Sequence, residues 1–201
     1  GDGKKLDIQA GRTLPFTLGH EIAGLVESVG ADAAAKPGDR VAVYPWIGCG
    51  HCPACRWGDE NICAAPRHLG ITVDGGFATH VLVPHSRYLI DYAPLAAGYA
   101  GALMCSGLTA YAALKRLADR AQRAPLLLVG LGGGGLMGLT LARAMYGTAP
   151  FVADIDGKKS DAALTAGADQ AFDPSDPRAR QALFKASGGI YAACDFAGSD
   201  A

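Results

Sequence analysis

Residues 126–154 read LLLVGLGGGGLMGLTLARAMYGTAPFVAD, and this stretch decides the fold of the second half of the chain. The apolar run 126–129 has the length and composition of a buried strand, and it leads into the glycine-rich turn 130–135. An apolar helical pattern then continues to Tyr146, and a second apolar run ends at the acidic Asp154. Strand, turn, helix and strand in this order predict a parallel βαβ unit.

The glycine-rich turn has the spacing with which such units bind dinucleotides. The first glycine allows a tight turn, the second lets the pyrophosphate approach the backbone, and the third lets the helix pack on the strand. The helix N-terminus then offers unpaired N–H groups to the phosphates. A turn with only a packing role is the alternative, because the glycine motif alone is weakly specific. The candidate cofactor-binding glycines are Gly130, Gly132, Gly133 and Gly135.

The acidic residue at the end of the second apolar run bears on the choice of cofactor. A carboxylate at Asp154 accepts hydrogen bonds from the adenosine ribose and repels a 2′-phosphate, which favours NAD over NADP. Asp156 adds to that repulsion. Lys158 and Lys159 are interpreted, from the residues alone, as a solvated first helical turn.

The rest of the chain shows two different sequence patterns. After a helical pattern from 106 to about 119, apolar runs alternate with helical patterns, which indicates a parallel sheet with crossover helices. Before about residue 96, short apolar runs alternate with turn signals, as in a small strand-rich domain. We therefore predict two domains, 1–95 and 96–201. The apolar runs of the first are 22–29, 41–43 and 78–83; the alternation in the second continues through 150–154, 157–166, 170–172, 176–186 and 190–196.

Composition restricts the classes of function. Half of the residues are hydrophobic and the net charge is −1, so the chain can fill a globular core and has no basic surplus for nucleic acid. The uncharged stretches 92–114 and 124–142 contain proline or many glycines, which favours buried elements over membrane spans. We expect neither a nucleic-acid nor a membrane partner. Because four of the six cysteines lie within residues 49–63, we expect metal binding in a reducing compartment, the cytoplasm.

The cysteine cluster has the spacing C-x2-C-x2-C-x7-C. Closely spaced thiolates on a turning loop can surround Zn²⁺ as a tetrahedron, and four protein ligands leave no open position. The pattern therefore predicts a structural rather than a catalytic zinc. Free or disulfide-bonded cysteines in a loop are the alternative, and His51 is interpreted as a solvated loop residue. The four candidate ligands are Cys49, Cys52, Cys55 and Cys63.

Four motifs follow one another along the chain: Gly19-His20-Glu21-x-x-Gly24, the cysteine loop, Cys105-Ser-Gly-Leu-Thr109 and the glycine-rich turn. Together they resemble the zinc-dependent medium-chain dehydrogenases of the alcohol dehydrogenase type. The resemblance implies an α/β plus β fold, with a GroES-like catalytic domain followed by a Rossmann domain. It also implies hydride transfer between NAD and an alcohol, or its aldehyde or ketone, in a homo-oligomer.

The resemblance implies further roles for single residues. The family's catalytic zinc is held by two cysteines and one histidine, and alcohol dehydrogenase is the standard example of that ligand set. His20 and Cys105 match two of these ligands, and Glu21 matches a neighbouring carboxylate that can approach the metal. Thr109 matches the residue that packs on the nicotinamide, and Lys159 matches a position that contacts the adenosine ribose.

The sequence also departs from the family pattern. No cysteine precedes Cys49 to supply the remaining catalytic ligand, and Gly134 stands where a branched residue lies behind the nicotinamide. We interpret residues 1–201 as truncated in both domains and expect a polypeptide limited to them to be inactive. Two alternatives stay open: a non-catalytic zinc- and nucleotide-binding fragment, and a zinc-lacking, quinone-reductase-like member of the same superfamily.

Overall fold

The structure is a computed structural model that describes residues 14–198. The chain divides into two compact units between Cys105 and Ser106, later than the boundary predicted after residue 95. The division falls later because the helix after residue 96 packs on the strands of the first unit. The two termini, Gly1 and Ala201, at which the sequence predicts truncated domains, lie outside the described residues.

The first unit is built on an antiparallel sheet of three strands in the order β1-β2-β3. Ile22 pairs with Val43 across β1 and β2, and Val41 pairs with Asp91 across β2 and β3. The elements are β1 (Ile22–Leu25), β2 (Arg40–Val43), helix α1 (Pro53–Arg56), 3-10 turns at Glu60–Ile62 and Ser86–Tyr88, β3 (Leu89–Asp91), α2 (Ala97–Ala102) and a π-helical turn at Leu103–Gly107 that runs into the second unit.

The central strand β2 carries the core of this unit on both of its faces. Successive side chains of a strand point to opposite faces. Ala42 packs with Ala100 of α2 on one face, and Val43 packs with Tyr88 on the other. All three apolar residues of β2 are buried, so the strand fixes both the helix and the loops around it.

The strand content of this unit is lower than the apolar runs predict. Strand β1 ends at Leu25, before the end of the run 22–29. The run 78–83 forms no strand, although its side chains keep the alternation of one: Val81 and Val83 pack on the core, whereas Leu82 is 87% exposed. The alternation of apolar and exposed side chains indicates that one face of the run is buried. A strand also needs a neighbouring strand to which its backbone is hydrogen-bonded, and this run has none among the described residues.

The second unit contains a parallel sheet of four strands in the order β6-β5-β4-β7. Helices connect these strands, and the sheet has the strand order of one half of a Rossmann fold extended by a fourth strand. The predicted alternation of strands and helices is confirmed. The elements are α3 (Leu108–Ala121), β4 (Leu126–Val129), α4 (Gly133–Tyr146), β5 (Phe151–Ala153), α5 (Gly157–Thr165), β6 (Ala171–Phe172), α6 (Ala179–Ser187) and β7 (Ala192–Asp195).

Strand β4 is the centre of this unit. Its neighbours β5 and β7 lie on opposite sides, so the strand order reverses at β4, and ligands of open α/β sheets bind at the carboxyl end of such a strand. Leu128 of β4, Leu139 of α4 and Val152 of β5 are completely buried and hold helix and sheet together. Among the described residues, no helix combines the length and apolar character that crossing a bilayer requires.

Candidate metal and dinucleotide sites

The four cysteines of the loop converge on one point in the first unit. Their sulfur atoms lie within 4.8 Å of one another. Cys52 Sγ is 3.5 Å from Cys55 Sγ and 3.8 Å from Cys63 Sγ, and Cys49 Sγ is 4.0 Å from Cys55 Sγ. These separations exceed the ~2.05 Å of a disulfide bond. They agree with the edge of a tetrahedron of sulfurs around zinc, about 3.8 Å for Zn–S distances of ~2.3 Å.

Local sequence explains how the loop folds around this point. Pro53 begins the single turn α1 directly after Cys52, where its missing N–H is not needed. Backbone N–H groups point at two of the sulfurs: Cys52 N lies 3.4 Å from Cys49 Sγ, and Cys49 N lies 3.3 Å from Cys63 Sγ. N–H groups aimed at sulfur favour thiolates. His51 is exposed and bonds the Cys49 carbonyl, in keeping with its interpretation as a loop residue.

The pKa values in the cluster are driven apart. Backbone N–H groups of His51 and Cys52 lower the pKa of Cys49 to about 6. Burial and the neighbouring sulfurs raise the pKa of Cys55 to about 12. One thiolate therefore forms easily and opposes ionisation of the next, and a divalent cation at the centre would favour four thiolates at once. The donor set and its spacing fit zinc.

A second cluster brings together residues that are far apart in sequence. His20 directly precedes β1, and Cys105 lies in the π-helical turn after α2; His20 Nε2 is 3.2 Å from Cys105 Sγ. The Glu21 carboxylate belongs to the same group, with all three ligand atoms within 4.8 Å. Tetrahedral zinc would separate a nitrogen and a sulfur ligand by about 3.6 Å, given Zn–N and Zn–S distances of ~2.1 and ~2.3 Å. The pair is therefore close to the spacing that zinc requires.

Both protein segments that carry this cluster are held by specific contacts. The chain before His20 bonds to a glycine turn: Gly75 N donates to Thr17 O, and Gly76 N donates to Gly19 O. Gly75 has to be glycine, because a Cβ there would lie 2.2 Å from Gly19 O. The π-helical turn widens the helix at Cys105, and such turns are frequent at functional sites.

Trp46 connects the two segments. Its Nε1–H donates to Met104 O at 2.9 Å, next to Cys105, and its ring lies 5.6 Å from the His20 ring. On its other side the His68 ring packs edge-on at 5.4 Å. The hydrogen bond of Trp46 depends on tertiary structure and has no local sequence signal.

The surroundings of the Cys105 thiol raise its pKa. Burial, the charge of Glu21 and a hydrogen bond to the Glu21 carboxylate all raise the pKa of Cys105. A cation beside the sulfur would act in the opposite direction, because it stabilises the thiolate. The arrangement therefore matches a cation site that combines nitrogen, sulfur and oxygen donors.

The glycine-rich turn lies at the carboxyl end of β4 in the second unit. Gly130 has a φ of +82°, and a Cβ at Gly135 would lie 1.8 Å from Gly130 O. These two glycines are therefore required by the backbone itself. At Gly132 and Gly133, a Cβ would meet nothing within 4 Å. They begin helix α4 and leave its N-terminal backbone open to an approaching phosphate.

Asp154 ties this turn to β5. Its Oδ2 accepts from Leu131 N at 2.6 Å, and its Oδ1 accepts from Asp156 N at 2.9 Å. Burial opposes ionisation, but these N–H groups and the nearby Lys159 ammonium outweigh it and lower the pKa of Asp154. Each carboxylate oxygen can accept two hydrogen bonds, so the half-buried Asp154 retains capacity for ribose hydroxyls.

Two other predicted cofactor residues are exposed. Thr109 lies in the first turn of α3, and Lys159 lies in the first turn of α5, which Asp156 caps by accepting from Lys158 N. Their contacts with nicotinamide and ribose stay predictions. Behind the turn, the position of Gly134 faces the Phe196 ring, 3.4 Å from where its Cβ would lie, so an aromatic side chain packs beside this glycine.

Sequence reasoning overlooked Glu60, in the last segment of the cysteine loop, and His68, which follows that loop. Glu60 accepts a hydrogen bond from Gly48 N at 2.8 Å. His68 Nε2 is buried without a hydrogen-bond partner among the described residues, and burial lowers the pKa of His68. In the sequence, Glu60 follows Asp59 and has the appearance of a second surface acid, and His68 belongs to no recognisable motif.

Comparisons with known proteins agree with this arrangement. Residues 2–93 match the alcohol dehydrogenase GroES-like domain. An NAD-dependent alcohol dehydrogenase of Saccharolobus solfataricus is 42% identical over 94% of this chain and 56% of its own length. One of Sulfurisphaera tokodaii is 44% identical over 82% and 48%. The chain thus spans about half the length of these curated relatives.

A solved structure extends the agreement to both units. The D-arabinose dehydrogenase of Sulfolobus solfataricus superposes with a TM-score of 0.84 at 32% identity, over 92% of this chain and 58% of its own. At 92% coverage of this chain, the superposition includes residues of both units. By its sequence relatives, its GroES-like domain and its Rossmann sheet, the chain belongs to the zinc-type medium-chain alcohol dehydrogenase family.

Proposed function

We propose that the whole protein is a zinc-containing, NAD-dependent alcohol dehydrogenase, which transfers a hydride between NAD and an alcohol or the corresponding aldehyde or ketone. The observation that carries this proposal is the 3.2 Å approach of His20 Nε2 and Cys105 Sγ, from positions 85 residues apart, beside the Glu21 carboxylate. A mere packing cluster has no need of three metal-binding side chains at one point.

The residues of this cluster would have separate roles in metal binding and catalysis. His20 and Cys105 would hold the metal, and the Glu21 carboxylate, within 4.8 Å of both ligand atoms, would be available as a further ligand or to hold a proton. When bound, zinc supplies Lewis acidity that polarises the substrate oxygen. Trp46 keeps the Cys105 turn in place through its bond to Met104 O.

The second unit would bind and orient the cofactor. The open backbone at Gly132 and Gly133 receives the pyrophosphate, while Gly130 and Gly135 permit the tight turn beneath it. Asp154 accepts from the ribose hydroxyls and disfavours a 2′-phosphate, so we propose NAD rather than NADP. Lys159 is close enough to Asp154 to influence its pKa and would contact the same ribose.

The cysteine loop would hold a second zinc with a structural role. Four sulfur ligands close the coordination shell, so this ion takes no part in the reaction. We further propose a cytoplasmic location, because a cluster of free thiols requires reducing conditions. The family resemblance is the basis for proposing a homo-oligomer.

The proposal is tested by NADH formation. Purified whole protein is supplied with NAD and primary, secondary and benzylic alcohols, and is compared with a Cys105→Ser variant. We expect NADH formation from at least one alcohol and a loss of at least about 100-fold in the variant, since the ligand sets the metal's affinity and charge. Equal turnover by the two proteins would refute the zinc mechanism; bound zinc and NAD without turnover would favour the non-catalytic alternative.

A further inference from the structure

A carboxylate outside both metal clusters has an unusual number of partners. The side chain of Glu60 is only 14% exposed. Its Oε2 accepts from Gly48 N at 2.8 Å and from the Tyr88 hydroxyl at 2.8 Å, and its Oε1 pairs with Arg87 Nη2 at 2.9 Å. Burial opposes ionisation, yet these partners outweigh it and lower the pKa of Glu60, so the group is a half-buried anion at neutral pH.

The partners of Glu60 come from separate parts of the first unit. Gly48 directly precedes Cys49, the first residue of the cysteine cluster, and Glu60 stands three residues before its last, Cys63. Arg87 and Tyr88 belong to the 3-10 turn that leads into β3. One carboxylate therefore joins the start of the loop, its final segment and the turn that leads into the sheet.

Gly48 shows how closely this junction adjoins the sulfurs. A Cβ at Gly48 would lie 2.4 Å from Cys55 Sγ and 3.2 Å from Glu60 Cβ. The hydrogen bond from Gly48 N to Glu60 therefore fixes a backbone segment that touches the cluster. A displacement of this segment would move Cys49, which follows it, and would also change the packing of Gly48 against Cys55.

We propose that Glu60 is a positioning residue for the cysteine cluster, which holds the loop in the shape that binds metal. The inference rests on the proposed zinc at this cluster. Glu60 acts through Gly48 on one side and through Arg87 and Tyr88 on the other, and it is not itself a ligand.

The charges around Glu60 are consistent with this role. Four thiolates around Zn²⁺ leave a net charge of −2, and an unpaired carboxylate beside them would add repulsion. Arg87 compensates the Glu60 charge and also packs over the Tyr88 ring at 4.7 Å. Tyr88 is itself buried and stacks with Tyr44 at 6.3 Å, so the anchor for Glu60 belongs to the core.

The test measures zinc affinity rather than activity. Whole protein carrying Cys105→Ser, which leaves the cysteine cluster as the proposed zinc site, is equilibrated with a chromophoric zinc chelator. Glu60→Gln and Tyr88→Phe are added separately to this background. Asp59→Asn is the matched control, because it removes the same charge from an exposed neighbour.

We expect Glu60→Gln to weaken zinc binding about 10- to 100-fold, the usual effect of removing a group that orients metal ligands. Tyr88→Phe should weaken it less, and Asp59→Asn should stay within about twofold. A folded Glu60→Gln protein with the control's affinity would overturn the inference. If circular dichroism shows that Glu60→Gln does not fold, Tyr88→Phe decides: an unchanged affinity overturns the inference. Absence of zinc before any loop substitution would instead refute the proposed zinc site.

Discussion

Replacing Gly135 by alanine separates the folding role of the glycine-rich turn from its proposed role in NAD binding. The added Cβ would lie 1.8 Å from Gly130 O, which is far inside van der Waals contact, and the atom it meets is backbone rather than a flexible side chain. Gly130 cannot easily yield, because its φ of +82° already depends on glycine and its N–H bonds Ala153 O. We expect a loss of about 1–3 kcal/mol in unfolding free energy, the range of overpacked sites.

The matched control is Gly133→Ala in the same helical turn. A Cβ there meets nothing within 4 Å, so the helix should be unchanged or stabilised by about 0.4–1 kcal/mol. The same methyl group would obstruct a phosphate at the open backbone and weaken NAD binding. Thermal unfolding should therefore show a decrease of about 2–12 °C for Gly135→Ala and none for Gly133→Ala. Calorimetric titration should show weaker NAD binding by Gly133→Ala. Wild-type stability in Gly135→Ala would refute the close approach in the turn.

Three further predictions concern the described contacts. Trp46→Phe should lower the free energy of unfolding in urea by about 0.5–1.5 kcal/mol, because Met104 O loses its hydrogen-bond donor. It should also lower zinc retention in a chelator assay; unchanged stability and zinc retention in the variant would contradict this role. Asp154→Ser should weaken NAD and improve NADP in paired titrations, whereas tighter NADP binding by the unaltered protein would contradict the cofactor assignment. The pKa of Asp154 is lowered on folding, so its stabilisation should be complete above about pH 4 and lost as the pH falls further. Asp154→Asn should therefore weaken the dependence of the unfolding free energy on pH between pH 2 and 5. The same pH dependence in the variant and the wild type would count against this effect.

The parallel sheet was predictable because its signals are local. The run at β4, the glycines that follow and the helical pattern to Tyr146 each restrict neighbouring residues, and the structure places β4 and α4 within one residue or so of the predicted limits. The convergence of the cysteine loop was equally predictable, since its four cysteines lie within a short span of sequence and their spacing alone brings the sulfur atoms together.

Contacts between segments that are distant in sequence were harder to predict. His20 and Cys105 have no local pattern that pairs them, and they were assigned through the family resemblance alone. The run 78–83 has the alternation of a strand but no hydrogen-bonded neighbour, which the sequence does not record. Glu60 has the appearance of a solvated acid until the chain brings Gly48 and Tyr88 to it.

The zinc content of the whole protein tests the central claim most directly. Elemental analysis by mass spectrometry, after removal of loosely bound metal, should give about two zinc ions per chain: one for the closed cysteine cluster and one for the site of His20 and Cys105. His20→Ala should lower this value by about one ion while leaving the other in place. A protein without zinc, or one whose zinc content is unaffected by His20→Ala, would contradict the assignment of a catalytic metal to this site.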